Sequence, residues 1–162
     1  MKLLKDQVES LRYVNHLWPI VILRMYVSYF FFSSHYEMLS NNFREQPKLS
    51  ALIDEHLYGS NAPEWIQSFF VNYVQENWVF SSSLMINLEW LLGFLFLVGF
   101  LNRPGAVVGM IYLYTVSFIL SPVDAACALS IGVILFVLLL FGSGRVGGLD
   151  YFFYKRKRGL LW

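Results

Sequence analysis

Two charged side chains stand apart in otherwise apolar stretches: Arg24 within residues 18–37 and Glu89 within residues 82–101. A carboxylate inside a lipid-spanning helix is costly, so it needs a partner or a task. If the two stretches run antiparallel at about 1.5 Å rise per residue, the two charges lie at similar depth, within reach of a long arginine side chain. Two readings follow. Arg24 and Glu89 line a polar site that binds an anionic or quinone-like head group, or they form a buried ion pair that fixes helix register. Under both, removing one partner is worse than removing both, because a lone buried charge is left behind. His35 and Tyr36 close the first stretch and are candidate proton or ligand contacts, since histidine changes charge near neutral pH. An interfacial polar pair is the plainer reading. His16 and His56 are not spaced with His35 as metal ligands on one helix, so no metal site is expected. Cys127 is the one cysteine, which excludes an internal disulfide or dithiol relay. It reads as a small packing residue. The sequence holds no nucleophile–base pair, phosphate loop or nucleotide motif, and it assigns no catalytic residue.

Composition says what surrounds these residues. The chain has 162 residues, 57% of them hydrophobic and 14% charged. Charged residues in soluble domains run near a quarter. An all-α integral membrane protein is expected: a single membrane domain, 1–162, forming a four-transmembrane-helix bundle. The spans fall at about 18–37, 82–101, 105–120 and 125–141. A tight turn at 101–105 joins the second and third, and Ser121 to Asp124 makes a short turn before the fourth. Gly105 and Gly109 form a small-xxx-small pair that lets helices approach closely. The first apolar run contains Arg24 and is followed by no small-residue cleavage site, so a cleavable signal peptide is not expected.

The outer loop, 38–81, is the longest polar region. It reads as two short amphipathic helices, over 47–57 and 63–77, with Asn61 capping the second. In the second, Trp65, Ile66, Phe69, Phe70, Tyr73 and Val74 share one side. That side suits the membrane surface or a partner. A further short amphipathic helix is expected over 2–14.

Charge sets the orientation. Four spans place Lys2, Lys5, Arg12, Arg103, Arg145 and the basic tail, 151–162, on one side, with only Arg44 and Lys48 opposite. The positive-inside rule makes the basic side cytoplasmic, with both termini there. Lys155 to Arg158 then contacts anionic membrane lipid. Nothing points to nucleic acid. The loop carries five acids, with Glu37 just before it, and these repel an anion approaching from that side within a Debye length of about 8–10 Å.

Glu89 with Gly93, Gly99 and Asn102-Arg103 resembles the second-span motif of the DoxX/DoxD membrane proteins. Gly142-Ser143-Gly144-Arg145 with Leu149-Asp150 is similar to that family's ending, and Leu23-Arg24 to its first-span arginine. The long loop with a tryptophan-bearing helix resembles the DoxD branch, the small subunit of thiosulfate:quinone oxidoreductase. The chain departs from the pattern at Ser28 and Gly148, and at Ser34-His35-Tyr36-Glu37, where the family carries glycine and lysine. The resemblance implies a multi-pass subunit of the bacterial inner (plasma) membrane that supports quinone-linked thiol or sulfur redox chemistry with a protein partner. A quinone is the implied cofactor. Arg24 and Glu89 would line or brace its site, with Arg103, Arg145 and Asp150 organising the cytoplasmic end. The alternative is a non-enzymatic scaffold or accessory subunit of a larger membrane complex. A conduit through the bundle is a third reading, with little polar lining to support it.

Overall fold

The structure is a computed structural model, and it describes residues 18–60 and 62–141. All regular structure among these residues is helical. In chain order the helices are α1 (Trp18–Ser40), α2 (Lys48–His56), α3 (Glu64–Phe69), α4 (Trp78–Val98), α5 (Asn102–Val116) and α6 (Pro122–Phe141). A 3-10 turn, Leu57–Gly59, follows α2, and a π-helical stretch, Phe70–Gln75, continues α3.

Helices α4 and α6 are long and apolar enough to cross a membrane. Their outward faces are apolar too. Trp90, Leu91, Phe94 and Leu97 are exposed on α4, and Leu129, Val133, Phe136 and Leu140 on α6. Apolar faces of that extent mark a surface that something other than water covers. Buried residues make up the opposite face of each: Met85, Ile86, Leu92 and Phe96 on α4, and Ala128, Ile131, Leu135 and Leu138 on α6.

The four long helices pack as two pairs, α1 on α4 and α5 on α6, with α1 also against α6. Phe31 of α1 stacks on Phe96 of α4, ring centres 6.1 Å apart, at the centre of the core. Gly109 brings α5 onto α6: a Cβ at that position would lie 2.9 Å from Leu135 Cδ1. Gly105 has ordinary contacts by comparison, so only Gly109 of the expected glycine pair sits at a close approach.

The turn between α4 and α5 lies earlier than the sequence suggests. Helix α4 starts at Trp78 and ends at Val98. Gly99 takes a left-handed conformation, φ 70°, and the amides of Gly99 and Phe100 both donate to the Leu95 carbonyl. Glycine adopts that conformation without steric cost, which ends the helix there. Residues 102–105 are the first turn of α5, not a loop. Pro104 is tolerated because amides of a first helical turn have no intrahelical acceptor. Ser121 to Asp124 is likewise a helix start. The Asp124 amide donates to Ser121 Oγ at 3.3 Å, and that hydroxyl donates to Asp124 Oδ2 at 2.7 Å. Ser121 therefore caps α6, with Pro122 at its first position.

The connection from α1 to α4 folds over one end of the bundle. Leu49, Ile53 and Leu57 are buried beneath it, as are Ile66, Phe70 and Val74. Gln75 Nε2 donates to Asp54 Oδ1 at 2.8 Å and ties its two helical pieces together. The helix expected over 63–77 divides into α3 and the π-helical stretch, with Pro63 at the cap. Half of its apolar residues, Trp65, Phe69 and Tyr73, stay exposed. Asn61, the helix expected over 2–14, Arg145, Asp150 and the basic tail lie outside the described residues.

Candidate functional site

Helix α1 grips α4 through polar side chains that reach its backbone. Ser28 Oγ donates to the Gly93 carbonyl at 2.8 Å. His35 Nδ1 lies 2.9 Å from the Ile86 carbonyl. A carbonyl only accepts, so Nδ1 carries the proton in this contact. These contacts set the register. On two antiparallel helices residue numbers run in opposite directions, so the Ser28–Gly93 and His35–Ile86 contacts put Arg24 level with about residue 97 of α4.

That register separates the two charges. Arg24 is buried, 1% exposed, but lies about eight residues from Glu89 along the bundle, roughly 12 Å. The ion pair that sequence spacing suggests does not form. The reason is that the two helices are not flush: α1 overhangs the end of α4 by more than one turn.

Glu89 has other partners. Tyr112 Oη of α5 donates to Glu89 Oε1 at 2.6 Å, and Ser34 Oγ of α1 donates to the same oxygen at 2.9 Å. The carboxyl group is 3% exposed as a residue, and its other oxygen, Oε2, is buried with no hydrogen-bond partner. One oxygen is therefore held by two hydroxyls from two helices, and the other is left to accept or donate.

A cavity of about 370 Å³ opens above this group. Glu89 and Tyr112 lie at its inner end; Glu37, Asn41 and Asp124 lie at the end covered by the α1–α4 connection. Phe30, Met85, Leu113, Val116 and Ile119 supply apolar wall, Leu49 and Leu52 of α2 form part of the roof, and Cys127 of α6 lies on the wall. The size and the mix of apolar wall with a few convergent polar groups are those of a small-molecule site.

Of the candidate site residues read from the sequence, the cavity gathers Glu89 alone. Arg24 lies deeper, towards the α4–α5 turn. His35 braces α4, and Tyr36 is 73% exposed and outside the lining. Arg103 stands in the first turn of α5, at the far end. Sequence reasoning missed Ser34, Tyr112 and the wall position of Cys127. A signal for two of them was present. Gly105, Gly109 and Tyr112 share the buried face of α5 at helical spacing, and Ser34 continues the stripe of Val27 and Phe31 on α1.

A helical bundle with apolar outward faces and two helices long and apolar enough to cross a membrane defines a protein of membrane type. The model of the DoxD family, described as TQO small subunit DoxD, matches residues 18–160, and the chain belongs to that family. No curated protein and no solved structure matches the chain.

Proposed function

We propose that this chain is the membrane-embedded subunit of a quinone-linked oxidoreductase that acts on sulfur compounds or thiols. It crosses the bacterial inner membrane four times, with the 38–81 loop outside and both termini in the cytoplasm. A protein partner carries the chemistry that removes electrons from the substrate. The observation that carries this reading is Glu89, which lines a cavity large enough for a quinone head group and whose buried Oε2 has no hydrogen-bond partner. Family membership points the same way.

A quinone supplies two-electron, two-proton carriage when bound. The residues of this chain suit that ligand. Phe30, Met85, Leu113 and Val116 offer an apolar bed for a ring. Tyr112 and Ser34 orient the Glu89 carboxyl group, and Oε2 can hold or pass a proton at the cavity floor. Arg24 and Arg103 lie towards the opposite end, and together with Arg145 and Asp150 they would brace it, leaving the ligand to Glu89.

Extraction in mild detergent with mass spectrometry of bound proteins and lipids tests this. The wild-type chain is expected to retain quinone together with a protein partner. Glu89→Gln should lower the retained quinone about tenfold, equivalent to about 1.4 kcal/mol of binding, while the protein stays folded. A stoichiometric partner with no quinone, indifferent to Glu89→Gln, would sink the reading in favour of a non-enzymatic scaffold.

A further inference from the structure

Among the described residues, the charge-bearing side chains that line the cavity are all carboxyl groups. Glu37 and Asp124 are exposed at its mouth, Glu89 is buried at its floor, and none of the described lysines, arginines or histidines lines it. Of the cations of the α1–α4 connection, Arg44 donates to Asn87 Oδ1 at 3.2 Å, and neither it nor Lys48 is among the lining residues. Helix dipoles do not offset this. Two helix C-termini, of α1 and α5, and two N-termini, of α4 and α6, meet at this end and cancel to first order. The remaining field is that of the carboxylates, and apolar walls focus it. At the floor, Tyr112 and Ser34 already spend their protons on Glu89 Oε1, and the buried Oε2 stands without a partner. An anion entering here would meet like charge at the mouth and a committed hydroxyl pair at the floor.

We infer that this cavity admits uncharged or cationic head groups and excludes anions. The inference rests on reading the cavity as the ligand site and narrows what that ligand is. In an assembly that oxidises an anionic sulfur compound, that anion is then bound by the partner and not among these helices. The chain supplies the site for the neutral electron carrier alone.

Cys127, the one cysteine of the chain, is exposed on the cavity wall and reports on access. The test compares its modification in the intact detergent-solubilised protein by two methanethiosulfonates of similar size, one bearing trimethylammonium and one bearing sulfonate. Rates are normalised to those of a free thiol. The cationic reagent is expected to react about tenfold or more faster than the anionic one, within the range by which charged clefts concentrate counter-ions. That ratio should fall between 0.01 M and 1 M salt, as the screening length drops from about 30 Å to 3 Å. It should also fall in Glu37→Gln/Asp124→Asn, whose fold is checked by circular dichroism. Equal normalised rates, or a faster anion, overturn the inference. Tetramethylhydroquinone, whose ring carbons are all substituted and cannot add the thiol, is expected to slow modification, and sulfate at matched ionic strength is not. Charge selectivity without protection by the hydroquinone would keep the anion exclusion and remove the quinone reading. Protection by sulfate would overturn the exclusion.

Discussion

Glu89 Oε1 receives hydroxyl protons from two different helices, and this arrangement makes the residue more than an isolated acid in an apolar segment. The Tyr112 bond is the shorter and the more deeply buried of the two. In Tyr112→Phe the ring is kept and the donor lost, so Oε1 keeps only the Ser34 hydrogen bond and a buried bond to a carboxyl group is removed, at a cost of about 1–3 kcal/mol. Ser34→Ala removes the second donor from a partly buried place, and its cost should be smaller. Unfolding in detergent, followed by circular dichroism, is expected to rank them in that order. Equal losses would mean that the two bonds share the load. The acid itself was legible in the sequence because no other charge accompanies it on 82–101. Its partners were not. Two lone charges of opposite sign invite pairing, yet relative depth depends on how far one helix overhangs its neighbour, and Ser28 and His35 set that by bonding to backbone that no side-chain pattern reveals.

Helix placement follows from composition to within a turn, and helix contact follows from small residues. The expected stretches 18–37 and 125–141 fall inside α1 and α6, whereas 82–101 and 105–120 each lie three or four residues later than α4 and α5. The shift arises because Trp78, Val79 and Phe80 belong to α4, and because Gly99 rather than Pro104 ends that helix. Proline in a first helical turn breaks nothing, so its position in the sequence misled. The contact between α5 and α6 depends on Gly109, where an added Cβ would press on Leu135. Gly109→Leu is expected to destabilise the protein by about 1–3 kcal/mol or more, the usual cost of overpacking. Gly105→Ala, with neighbours no nearer than 3.8 Å, should be close to neutral. A detergent-unfolding series on the two variants checks this, and equal midpoints would show that the helices move apart freely at both positions.

At the scale of the molecule, the proposed topology puts the cavity mouth and the basic tail on opposite sides of the membrane. Cys127 should therefore take a membrane-impermeant maleimide added outside intact spheroplasts. In a Cys127→Ser background, Lys157→Cys should react only after the membrane is opened. Reaction of both from one side would rule out four spans. The same topology has a further consequence for α5. This helix has 15 residues and spans about 22 Å, whereas the hydrocarbon core is about 30 Å thick. Beyond Val116 the chain leaves the helix, and Ile119 and Leu120, which line the cavity, belong to the irregular segment that follows. The shortfall is a hydrophobic mismatch confined to one flank. Lipid beside α5 has to thin or tilt to meet it, at a cost of fractions of a kcal/mol per ångström. The thinned patch then lies against the wall through which a membrane-dissolved molecule would have the shortest way in.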